Sequence, residues 1–141
     1  MRTFILALLL FFTTACHSQV QKPRDTVVVE DVTFNRVYDF DSTSKYPISA
    51  ENLDTRIVVN ILPTGTVTLY VGLKRYDNLR FIKTSLYPDI LQYVRVYSCY
   101  RYGKRYYIRS FYNSRQIFNK LVISDSNKMT IFVLDDNNKN L

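Results

Sequence analysis

The chain has 141 residues, with 19 lysines and arginines against 12 acids, one histidine, two cysteines and three glycines. That length holds one domain with a real core and excludes two. His17 stands beside Cys16 in a polar stretch where no scaffold would hold it, which excludes Ser-His-Asp and Cys-His catalysis; histidine or paired-thiolate metal sites are missing too, and Gly65, Gly72 and Gly103 lie too far apart for a phosphate loop.

The chain opens with MRTFILALLLFFTTAC: one charge at Arg2, an unbroken apolar run from Phe4 to Phe12, then small residues up to Cys16. This layout reads as an export signal over residues 1–15, because the apolar run is far short of the roughly 20 residues that span a bilayer. The TTAC end resembles the lipobox of bacterial lipoproteins. The resemblance implies that Cys16 is the lipidation site, diacylated and made the new N-terminus, with the protein held in the bacterial cell envelope. The alternative is an ordinary secretory signal before a secreted or periplasmic soluble protein, with Cys16 left to pair with Cys99. Residues 16–25 then form the lipidated cysteine and a polar tether containing Pro23, able to reach at most about 30 Å.

Residues 26–136 read as one β-rich domain. An early strand is expected in TVVVEDVTFNRVYDF, where Val32, Phe34 and Tyr38 alternate with polar residues. In RIVVNILPTGTVTLYVGL, a three-residue loop Pro63, Thr64 and Gly65 puts Ile57, Val59, Ile61, Val67, Leu69 and Val71 on one face, with Gly65 where positive φ is needed. A second hairpin is expected where KLVIS and MTIFVL flank DSNK. Helical turns are expected only in Pro47–Asp54, Leu86–Tyr93 and Ser114–Leu121, all too short for a layer. Seven or eight strands predict a mainly β, single-domain antiparallel β-sandwich or small β-barrel, with a small α+β domain as the alternative. The asparagine-rich tail, residues 137–141, is expected to fray.

Charge is concentrated in the middle: Lys74 to Lys120 holds eleven lysines and arginines against Asp77 and Asp89, and nine of the twelve tyrosines. Within it, YSCYRYGKRYYIRSFY (97–112) reads as a hairpin turning at Gly103 and Lys104. A two-residue loop would put arginines on both faces, which a buried side tolerates poorly. The expected loop therefore has three residues, giving an uncharged face and an opposite face with Arg95, Tyr97, Arg101, Arg105, Tyr107 and Arg109. Guanidinium forks beside aromatic rings suit an anionic ligand, so these six are the candidate ligand-binding residues. The alternative is that arginines and tyrosines merely stack across the strands.

The compartment implied by the lipobox makes an anionic lipid, an acidic polysaccharide or an acidic protein the expected partner, besides the membrane that holds the lipid. Nucleic acid is not expected, because an exported lipoprotein rarely meets it. A small envelope inhibitor, immunity or assembly-accessory lipoprotein is the alternative reading. VYDFDST, with Asp39, Asp41 and Thr43, resembles the nucleophile motif of haloacid dehalogenase-like phosphatases, and IFVLDD resembles their acidic pair, Asp135 and Asp136. That resemblance implies attack by Asp39, acid–base work by Asp41 and a magnesium ion. The family needs a doubly wound parallel sheet, for which the expected hairpins leave no room. The expectation is a binding protein with no catalytic residues, metal or cofactor, and Asp39 to Pro47 as a polar turn at a strand end.

Overall fold

The computed structural model describes residues 25–134. The expected export signal, Cys16 and most of its tether, Asp135 and Asp136, and the tail 137–141 lie outside the described residues.

Alternating β-branched and aromatic residues build ten strands: β1 (Val27–Phe34), β2 (Arg36–Asp41), β3 (Ser49–Glu51), β4 (Thr55–Ile61), β5 (Val67–Val71), β6 (Lys74–Tyr87), β7 (Gln92–Arg101), β8 (Lys104–Tyr112), β9 (Phe118–Ser124) and β10 (Lys128–Val133). They form one antiparallel sheet, in the order β1-β4-β5-β6-β7-β8-β9-β10-β2-β3, curled into a half-barrel. The mainly β, antiparallel architecture expected from the sequence is what forms. Strand β6 lets the sheet curl, because its first half pairs with β5 and its second half with β7, with a bulge between Phe81 and Lys83.

The hairpin β4–β5 forms as its glycine requires: the Leu62 N–H donates to the Thr66 carbonyl at 2.9 Å and Gly65 has φ 82°. Ile57 faces Val71, Val59 faces Leu69 and Ile61 faces Val67, so all six apolar side chains share the inner face. The β9–β10 hairpin also forms, its turn closed by the Asp125 carboxylate, which accepts from the N–H groups of Asn127 and Lys128 at 2.7 Å each.

Three expectations are corrected. The single early strand is two, broken at Asn35, because Phe34 and Val37 both turn into the core and no one parity serves both. Of the three helical turns, a 3₁₀ turn stands at Pro88–Ile90; Pro47–Asp54 instead supplies β3, and Ser114–Leu121 a turn and the start of β9. The polar turn expected over Asp39 to Pro47 begins later, because Asp39 lies within β2: it accepts from Thr130 Oγ1 at 2.7 Å and Ser49 Oγ at 3.0 Å, pinning β2 to both of its neighbours.

The inner face carries the core, including Phe34, Ile57, Leu69, Ile108, Leu121 and Ile123. The curl brings β1 back against β9 through side chains. Phe34 meets Phe118 edge-on at 5.1 Å, Phe118 lies on Tyr112 at 5.5 Å, and Tyr112 stacks on Tyr93 at 4.9 Å. Glu30 of β1 accepts a hydrogen bond from the Tyr112 hydroxyl at this seam, near Arg95.

Burial raises the Glu30 carboxyl above its ordinary value, outweighing the Tyr112 hydrogen bond and the Arg95 charge. An acid whose pKa is raised by folding favours the fold below its unfolded pKa, and that contribution is lost as pH climbs through the raised value. Glu30→Gln keeps an acceptor for Tyr112 and removes the titration. Urea midpoints of the two proteins are therefore expected to diverge as pH rises above the ordinary glutamate value of about 4.3, with the native protein losing ground. A constant difference across that rise would refute the assignment.

Candidate functional site at the basic end of the half-barrel

The hairpin of β7 and β8 has a two-residue loop, which corrects the three-residue expectation. Arg101 pairs with Lys104, and the central residues Tyr102 and Gly103 both have positive φ, 51° and 74°. That is the primed turn whose twist matches the flanking strands. The six predicted ligand-binding residues consequently do not share a face. Cys99 and Ile108 are core residues, so Arg95, Tyr97 and Arg101 lie on the inner face, while Arg105, Tyr107 and Arg109 lie on the outer one.

The inner face tolerates two arginines because each has partners at the margin of the core. Arg95 lies over the rings of Tyr112 and Tyr93, 5.1 and 5.9 Å from their centroids. Arg101 lies 5.3 Å over Tyr76 and 4.6 Å over Tyr102, and its Nε donates to the Arg75 carbonyl at 3.0 Å. Tyr97 packs edge-on against Phe81 at 5.7 Å. On the outer face Arg105 lies 5.0 Å over Tyr107, two residues on in the same strand, whereas the cross-strand stacking anticipated as the alternative is that of Arg95 on Tyr112 and Arg101 on Tyr76. Cys99 is buried, and burial pushes its thiol up, away from reactivity.

Arg101 belongs to a second constellation that sequence spacing does not announce. Three hairpins, β5–β6, β7–β8 and β9–β10, bring their ends together around a hollow of about 160 Å³. Its floor is Val71, Ile123 and Phe132, and the half-buried Tyr106 meets the buried Tyr76 edge-on at 5.5 Å beside it. Its rim carries the cations of Lys74, Arg101 and Lys128 and the carboxylate of Asp125. The N–H groups of Asn127 and Lys128 hold Asp125 below the usual carboxylate range, with added help from the Lys104 and Lys128 charges. Among the described residues Lys74, Arg101 and Lys128 make no ion pair; the pairs present are Arg56 with Asp31 and Arg75 with Asp77.

Arg101 also borders a second, open hollow of about 410 Å³, lined by Leu73, Arg75, Asp77, Tyr100 and Tyr102. The two hollows thus share one guanidinium. Lys74, Tyr76, Tyr106 and Lys128 were missed by the sequence reading because they come from separate hairpins, and only the curl of the sheet relates them. Comparison with known proteins finds no matching family, no similar curated protein and no similar solved structure.

Proposed function

We propose that the chain is a lipid-anchored cell-envelope binding protein, working by binding and not by catalysis, that holds an anionic group of an envelope component or an acidic partner in the hollow between Lys74, Arg101 and Lys128. The carrying observation is that these cations converge from three hairpins on an apolar floor and, among the described residues, make no ion pair with an acid. The anchor rests on the lipobox-like TTAC and Cys16.

The hollow sets the size of what enters. At about 30 Å³ per water, 160 Å³ is the space of roughly five waters, which suits one phosphate, sulfate or carboxylate group and not a whole sugar or base. Each pair of opposite charges about 4 Å apart contributes about 1 to 4 kcal/mol between water and the protein surface, weakened by salt. The rings of Tyr76 and Tyr106 line the hollow beside the cations.

Titration of the full chain, in micelles of an uncharged detergent, with inorganic pyrophosphate tests this by calorimetry. Binding in the millimolar range or tighter, about −4 kcal/mol, is expected, fading as salt rises. The triple substitution of Lys74, Arg101 and Lys128 by Gln is expected to weaken it at least about tenfold, or 1.4 kcal/mol. Binding that survives the triple substitution unchanged, or no binding by a folded chain, would overturn the proposal.

A further inference from the structure

We infer that the anionic group is presented by a lipid bilayer, and that the tips of the β5–β6 and β7–β8 hairpins seat on its surface; this rests on the anion-binding reading above. The tips display what a soluble surface ordinarily hides. Leu73 is fully exposed and Tyr102 is 88% exposed, with Tyr100 also largely open. They border one hollow together with Arg101 and the ion-paired Arg75 and Asp77, so the apolar tips and the Arg101 cation form a single surface. Lys74 and Lys104, the strand residues next to the two turns, add two more charges just behind the tips.

This order of side chains, an aliphatic and an aromatic group outermost and cations one step behind, matches the order of a bilayer surface met from outside. Tyrosine rings settle at the headgroup level, and lysine and arginine stems bury while their charges stay with phosphates. Each cation near an anionic surface contributes about 1 kcal/mol, worth roughly fivefold in affinity. An acidic protein partner fits less well, since a stable protein interface covers about 800 Å² on each side and the apolar part here is three side chains, Leu73 and Tyr102 on two turns and Tyr100 at the end of β7. The backbone adds a second observation. Tyr102 holds a left-handed conformation in which Asn or Gly is ordinarily preferred, so an exposed ring is kept at the tip against local preference.

The anchor is compatible with this placement. Residue 27 pairs with Ile61 beside the β4–β5 loop, and β5 then runs five residues to the Leu73 tip, about 17 Å. A nine-residue tether of up to about 30 Å exceeds that distance, so lipid and tips are able to meet one surface.

The chain contains no tryptophan, so Tyr102→Trp supplies a single reporter at the tip and Tyr46→Trp one at an exposed site elsewhere. Each full chain is reconstituted through its own lipid into vesicles of phosphatidylcholine alone or mixed with phosphatidylglycerol, with brominated acyl chains as quencher. The Tyr102→Trp reporter is expected to shift to the blue and be quenched only in the phosphatidylglycerol vesicles. The Tyr46→Trp reporter is expected to stay unquenched in both. Gln at Lys74, Arg101 and Lys128 is expected to weaken the tip signal roughly 100-fold in anionic lipid required.

Quenching in pure phosphatidylcholine to the same depth would overturn headgroup recognition. No quenching in either vesicle, with pyrophosphate still bound in micelles, would overturn the bilayer inference alone and send the search to a soluble acidic partner. Loss of pyrophosphate binding as well would remove the underlying reading.

Discussion

Phe34→Ala is expected to lower the free energy of unfolding by about 3–5 kcal/mol. Phe34 is wholly buried, and it belongs to the strand that closes the half-barrel. In the sheet β1 is hydrogen-bonded only to β4, so its hold on β9 comes from side chains, chiefly the 5.1 Å edge-on contact with Phe118. Removing the ring leaves a cavity where the edge strand β1 packs back on β9, and no backbone ladder is there to compensate. Domains of this size have about 5–15 kcal/mol of stability in all, so the melting temperature is expected to fall by roughly 10–20 °C. A double-mutant cycle with Phe118→Leu separates the ring contact from simple burial, with a coupling of about 0.5–1.5 kcal/mol expected. A cost below about 1 kcal/mol, measured by urea unfolding, would mean that β1 does not close the fold.

What the sequence made legible was the part governed by local rules. Gly65 and the matched parity of Ile57 to Ile61 with Val67 to Val71 leave one register for β4–β5, and that register forms. Asp125 likewise marks the β9–β10 turn, since its side chain caps two backbone N–H groups. Reasoning failed on β7–β8 for a physical reason. Arginines were treated as charges that a buried face rejects, yet Arg95 and Arg101 sit over tyrosine rings at the edge of the core, where the stem is covered and the guanidinium keeps partners. Strand β6 was illegible because most of it is exposed and the bulge at Phe81 shifts its alternation. The hollow at the basic end was beyond reach for a different reason. Lys74 and Lys128 are brought together by the order of ten strands, which local pattern does not encode.

Opposite signs are expected from two substitutions in the β7–β8 turn. Gly103→Val is expected to cost about 1–3 kcal/mol, because a β-branched residue resists the positive φ of 74°. No atom lies within 4 Å of where its Cβ would stand, so the cost is backbone strain and not a clash. Tyr102→Asn, one residue earlier, is expected to stabilise the chain by about 1 kcal/mol, since asparagine accepts the left-handed conformation that tyrosine holds there at φ 51°. The tyrosine ring is largely exposed, so little packing is lost with it, although Arg101 gives up one aromatic neighbour. If the exposed ring is kept for contact with a bilayer, the same Tyr102→Asn change weakens vesicle binding while raising the urea midpoint, a trade of function against stability. Similar small effects from both substitutions would show that the two-residue turn does not hold. A gain in stability with vesicle binding untouched would leave the turn in place and take Tyr102 out of the contact surface.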